Sequence, residues 1–386
     1  MTIIIFFAVL FVLILVHEWG HFIVAKKTGM KVDEFGIGFP PRLYGVKKGE
    51  TEYTLNAIPI GGFVRILGEN GEIDEESVSP VESGASDRRY EAGAEAGEGG
   101  SKVDYSRSFG ARPKWAQALV LIAGVTMNLI FAWFLFTLTF MLGVPTPVEE
   151  ADATDTAELY IVGVAPEAPA SVIPIGSVVE SVRYGGTVVV SPTPSEFSQA
   201  VEMSTEKGIE VTYNYSDITE TVVLMPESGL IASKPDAPAV GASLVLVEEQ
   251  SYPIHIAMYN SFFLTWERSV FIASSLWGLI SDAFVGQPDL SAVAGPVGIV
   301  GLVGDAASDG IVSLLGFTAM ISLSLAVFNL LPFPALDGGR LVFVAIEAVT
   351  RKHIPMIWAA RVNLVGFALL MLLMITVTYN DILRLL

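Results

Sequence analysis

His17-Glu18-Trp19-Gly20-His21 brings together side chains able to bind a metal and to move a proton. On a helix, residues four apart share a face, so the two imidazoles can hold one ion between them. Glu18 then projects beside that face, where it can take a proton from water activated by the ion. The cluster sits inside the apolar run 3–25. At about 1.5 Å per residue that run reaches roughly 34 Å, enough to cross a hydrocarbon layer of about 30 Å. Ionisable groups are costly at such depth and mark function there. A polar patch facing a neighbouring helix is the plainer alternative, and it leaves the spacing unexplained.

The chain has no Cys, so any metal must rest on His, carboxylate and water. A catalytic zinc takes three protein ligands and leaves one position for water. A third ligand must reach the His pair at its own depth. His255 and His353 lie outside the long apolar runs, whereas Asp337 follows one directly. Pro332 and Pro334 break the helix before it, and Gly338-Gly339 free the backbone after it. Irregular backbone at membrane depth is tolerated where it lines a wet cavity, as a water-consuming site requires. The alternative is an Asp that only ends a helix. Asn128, in Gly124-Val-Thr-Met-Asn128, either bonds a neighbouring helix through its amide or belongs to the site.

Composition supports a membrane setting. Of 386 residues, 52% are hydrophobic and only 16% charged, below the quarter usual for soluble domains. A net charge of -19 excludes nucleic acid as an expected partner. Residues 1–25 lack a basic leading segment and are too long for a cleaved signal peptide. Transmembrane helices are expected at 1–25, 114–143, 311–340 (with a broken Leu-Asp-Gly end) and 361–380. Between them, 26–68 reads as a β-hairpin region at the membrane face, and 69–105 as a low-complexity linker rich in Glu, Gly, Ala and Ser. Residues 144–255 read as a soluble α+β domain. Residues 256–310 read as an interfacial helix and loop, since Glu267-Arg268 interrupts the apolar run.

Charge sets the expected orientation. Lys26, Lys27, Lys31, Arg42, Lys47 and Lys48 follow the first helix, and Arg340, Arg351, Lys352 and Arg361 lie between the last two. Positive loops face the cytoplasm. Residues 26–113 and 341–360 are therefore expected inside, with both termini and the soluble domain outside the cell (inner) membrane. Four spans put His17, His21 and Asp337 at similar depth; five would put Asp337 on the wrong side.

These stretches resemble the site-2 protease family of intramembrane zinc metalloproteases, in its bacterial RseP-like branch. The resemblance is carried by HEWGHF at 17–22, IPIGGFVR at 58–65, AGPVGI at 294–299 and NLLPFPALDGGR at 329–340. It implies a polytopic α-helical membrane protein of four transmembrane helices. The active site would lie within the membrane, and an extracytoplasmic α+β PDZ-like domain would be inserted. It implies Zn2+ held by His17, His21 and Asp337, with Glu18 as general base. Asn329 and Pro332, Gly61 and Gly62 of the 58–65 stretch, and Asn128 would orient the substrate. The implied reaction is cleavage of a transmembrane protein substrate in the lipid bilayer, such as an anti-sigma-like protein or a signal-peptide remnant. An upstream site-1-type protease would act first on some substrates. The PDZ-like domain would bind peptide or filter substrates by size. A membrane-bound H-E-x-x-H quality-control protease and a non-enzymatic zinc-binding membrane protein are the competing readings.

Overall fold

A computed structural model describes residues 1–69, 105–204, 208–215, 218–230, 236–286 and 294–385. The linker expected at 69–105 thus lies outside the described residues apart from Glu69 and Tyr105. The chain divides into two compact units, Phe140–Pro253 and the remainder, Met1–Thr139 with Ile254–Leu386.

Helix α1 runs Thr2–Lys27 and ends where Gly29 takes a positive φ of 77°. Gly20 lets it approach α2, Lys114–Leu142: a Cβ there would meet the Ala123 carbonyl oxygen at 2.4 Å. Between these helices comes a hairpin of two long strands, β1 (Val32–Lys48) and β2 (Thr51–Ile66). Each strand doubles back, so Phe35 pairs with both Tyr53 and Val64, while Val46 also pairs with Tyr53. The result is four segments in the order 42–48, 51–56, 32–39, 58–66. Pro40-Pro41 marks the bend in β1, since proline cannot donate to the ladder. Segment 58–66 forms one edge of this sheet among the described residues. Phe22, Ala25, Met30, Val32, Phe35, Ile66 and Val120 form an apolar core that fixes the sheet against α1 and α2.

In the second unit, β3 (Val144–Pro147), β4 (Glu158–Val164), β5 (Val178–Tyr184), β6 (Thr187–Val190), β7 (Ile209–Tyr215), β8 (Ile218–Leu224) and β9 (Ala242–Gln250) form one antiparallel sheet. Its order is β3-β9-β4-β5-β7-β8, with β6 on β5. Helix α3 (Pro194–Met203) starts at a capping box between Thr193 and Glu196. Its Phe197, Ala200 and Val201 enter a core with Ile161, Val182 and Val211. This is an α+β unit.

Among the described residues, five further helices belong to the first unit: α4 (Ile254–Val285), α5 (Pro296–Ser308), α6 (Ile311–Leu330), α7 (Asp337–Thr350) and α8 (Met356–Leu385). Among the described residues, four helices are long and apolar enough to cross a membrane: Thr2–Lys27, Lys114–Leu142, Ile311–Leu330 and Ile357–Arg384. Leu264 and Ile272 of α4 pack on the apolar cluster that joins α2 and α6. Residues 294–308, expected within a loop, instead contain the short helix α5. Its N-terminus is capped by buried Asp381 of α8, which accepts from Gly295 N at 3.1 Å and Gly298 N at 2.8 Å.

The third apolar helix ends at Leu330, and the break expected at Pro332 and Pro334 within the 311–340 span is present. Leu331 leaves the helix, and Asp337 opens α7 as a separate element. Two prolines and a tight return explain the break. A Cβ on Gly338 would lie 2.2 Å from the Leu331 carbonyl oxygen, and one on Gly339 2.2 Å from that of Phe333. Helix α8 holds the returning loop: Asn363 Oδ1 accepts from Ala335 N at 3.3 Å, where φ is 74°. Gly366 admits Pro334 at a distance that no side chain would allow.

Candidate metal centre

His17 and His21 lie one turn apart on α1 and are 8% and 9% exposed. Asp337, at the first position of α7, meets them from across the helix bundle. Asp337 Oδ2 lies 3.0 Å from His17 Nε2 and 3.4 Å from His21 Nε2, and the two Nε2 atoms are 3.1 Å apart. Among the described residues these three form the cluster of His and carboxylate groups able to hold a metal. Nitrogen and oxygen ligands about 2.0–2.1 Å from a tetrahedral ion stand about 3.3 Å from one another. The observed triangle has that size, so these donors fit zinc.

Helix α2 supplies the ground on which both imidazoles rest. Val120 O lies 2.8 Å from His21 Nδ1, and Asn128 Nδ2 lies 3.4 Å from His17 Nδ1. Gly124, midway between, would put a Cβ 2.5 Å from His21 Nε2 and 2.7 Å from His17 Cε1. Positions 120, 124 and 128 recur every four residues and so share one face. Ser322 of α6 donates to the Asn128 carbonyl at 2.8 Å and fixes that face from behind.

A cavity of about 360 Å³ opens on the triangle. Glu18, Asn128, Asn329, Phe63 and Val64 are among the residues lining it, and Arg340 stands at its wall. Glu18 points toward β2: a Cβ on Gly62 would come within 3.7 Å of Glu18 Cγ. Arg340 pairs with Glu69, tying α7 to the end of the hairpin region. Of the other residues singled out in the sequence, Gly61 adopts a positive φ of 131° beside Phe39 and Ile14, outside the lining. Pro332 shapes the loop rather than lining the cavity. His255 stands at the start of α4, and His353 lies 3.7 Å from Glu347. Residues that sequence reasoning missed are Val120, Asn363 and Gly366. Val120 acts through its carbonyl, for which no side-chain signal exists; only its four-residue spacing from Gly124 could have drawn notice.

The model of peptidase family M50 matches residues 5–373. A Clostridium perfringens protein described as a candidate zinc metalloprotease is 35% identical over 372 residues, covering 96% of this chain and 95% of its own. The regulator of sigma-W protease RasP of Bacillus subtilis is 29% identical, covering 100% of this chain and 99% of its own. The zinc metalloprotease RasP of Shouchella clausii is 30% identical with the same coverage.

Proposed function

The chain belongs to peptidase family M50, the site-2 protease family, in its RseP-like branch; it is a zinc metalloprotease, and we propose that it hydrolyses a peptide bond within or beside a transmembrane segment of another membrane protein. The observation that carries this reading is the closed triangle of His17, His21 and Asp337 donors beside Glu18, in a cavity between apolar helices.

His17, His21 and Asp337 would hold the zinc, which would supply a Lewis acid for the scissile carbonyl and lower the pKa of the attacking water to about 7. Glu18 takes the proton of the attacking water and delivers it to the departing amide nitrogen. The carboxamide of Asn329, which also lines the cavity, donates to the substrate carbonyl and orients it. A helical substrate must unwind before its bond is exposed. The 58–66 edge of the hairpin sheet offers unpaired backbone for the extended strand, with Phe63 and Val64 facing the cavity.

The positive-inside distribution of Lys and Arg supports an orientation in which 26–113 and 341–360 face the cytoplasm, the termini and the α+β unit lie outside, and α4 lies along the outer surface. The α+β unit is read as PDZ-like. The name of the B. subtilis relative, a regulator of sigma-W, supports an anti-sigma-like membrane protein as one substrate.

The test is cleavage of a model transmembrane substrate in proteoliposomes by the wild type and by Glu18→Gln. Loss of cleavage with zinc still bound is expected; turnover by the variant would sink the mechanism.

A further inference from the structure

We propose that Asn128 is a positioning residue of the metal centre: its side-chain oxygen accepts a hydrogen bond from His17 Nδ1–H and so holds that imidazole with Nε2 turned to the ion. The inference rests on the ligand set proposed above and goes beyond it, since Asn128 touches neither the metal nor the substrate bond.

The two histidines are treated alike by α2. The partner of His21 Nδ1 is the Val120 carbonyl, which can only accept. Nδ1 therefore carries the hydrogen, and the lone pair of His21 lies on Nε2, the atom in the donor triangle. His17 also presents Nε2 to the triangle, so its Nδ1 must carry a hydrogen too and needs an acceptor. What stands there is the Asn128 carboxamide, with Nδ2 at 3.4 Å. Two donors cannot bond. Meanwhile Asn128 Oδ1 is buried with no hydrogen-bond partner among the described residues, and Asn128 itself is 0% exposed. A half-turn of the amide about its last bond brings Oδ1 to Nδ1–H without changing the volume filled. It gives both the imidazole and the oxygen a partner. The backbone cannot drift from this position, because Ser322 Oγ holds the Asn128 carbonyl.

A carbonyl at 120, a gap at 124 and a carboxamide at 128 then form one device. Partners of this kind orient metal-binding histidines and fix their tautomer. Asn128 also lines the cavity, where the sequence reading had it orient the substrate or bond a neighbouring helix; the inference assigns its amide to His17.

The experiment uses the full-length protein in detergent and measures zinc affinity by competition with a graded chelator, alongside thermal unfolding. The variants are Asn128→Leu, which removes the acceptor, Asn128→Asp, which keeps one in either orientation, and His17→Ala. Asn128→Leu is expected to bind zinc about 10–100-fold more weakly, and Asn128→Asp to stay within about threefold of the wild type or bind more tightly. Wild-type zinc binding by Asn128→Leu, with His17→Ala losing its zinc, would overturn this inference and leave the ligand set intact. Zinc retained by His17→Ala would overturn the ligand set itself. Should Asn128→Leu not fold, Asn128→Asp decides. An Nδ1 that accepted from the amide would face a second acceptor, and zinc binding weaker by about tenfold or more in that variant would overturn the proposal.

Discussion

Gly124→Ala adds a single methyl group, and its effect can be worked from the geometry. The new carbon would sit 2.5 Å from His21 Nε2, 2.7 Å from His17 Cε1 and 2.8 Å from His17 Nε2. Comfortable contact is about 3.5 Å or more, so both rings must retreat by about 0.7–1 Å. Metal–ligand distances tolerate only about 0.2 Å. Forcing a methylene into a packed site costs about 1–3 kcal/mol, and here the strain falls on the two nitrogens in the donor triangle. At 1.4 kcal/mol per decade, zinc affinity should drop roughly 10–100-fold. Cleavage should fall at least as far. The assay is chelator competition on the purified protein, with cleavage of a model substrate alongside. Gly301→Ala is the control: outside its own helix backbone and chain neighbours, no atom of the described residues lies within 4 Å of its would-be Cβ. In the interior of α5 it should leave zinc unchanged and stabilise the helix by up to about 1 kcal/mol. If Gly124→Ala holds zinc as the wild type does, the claim that this glycine is the gap beneath both imidazoles is wrong.

Two further outcomes are expected. Arg107 and then Lys26, both hydrogen-bonded to Glu50, pull its pKa from 4.5 down to about 2. A depressed carboxylate contributes stability that is present above its unfolded pKa and lost as pH falls through the folded one. Wild type should therefore lose stability between about pH 4.5 and 2, by of order 1 kcal/mol after solvent screening, relative to Glu50→Gln. Parallel pH–unfolding curves for the two proteins would refute this. Asp381→Ala leaves the N–H groups of Gly295 and Gly298 without their acceptor, at a cost of about 2 kcal/mol, and Asp381→Asn should recover much of it. Thermal unfolding measures both; an unshifted Asp381→Ala would mean that α5 is not held by this cap.

What was legible in the sequence was what is local. The H-E-x-x-H spacing on one turn, and the proline–glycine break before Asp337, each announce their geometry within a few residues. The triangle then needed only that two apolar helices bring their ends together. The hairpin was legible as a hairpin, but its fold-back was not. Phe35 pairing with both Tyr53 and Val64 depends on where each strand bends. Helix α5 was hidden because Gly298, Gly301 and Gly304 weaken its local propensity. Its start is set by an Asp381 that lies 83 residues away. Helix α7 was not foreseen: Asp337 was read as the broken end of the 311–340 span and 341–360 as a loop, since nothing in Leu336-Asp337-Gly338 says which way the chain turns. Strand β9 went unread because Leu-Val-Leu-Val followed by Glu-Glu-Gln is an apolar run and then a polar one, not the alternation that marks a half-buried strand.

The donors of the triangle come from opposite ends of the chain: His17 and Asp337 are 320 residues apart. On the ribosome, at about 5–20 residues per second, the imidazoles and Glu18 are made tens of seconds before the carboxylate that completes the set. On the proposed assignment, a nascent chain therefore carries the base and two of the three ligands but not a closed centre. The order of synthesis itself acts as a safety catch. If membrane segments are its substrates, as proposed, the enzyme is not armed while it is still being threaded into the same bilayer as its neighbours.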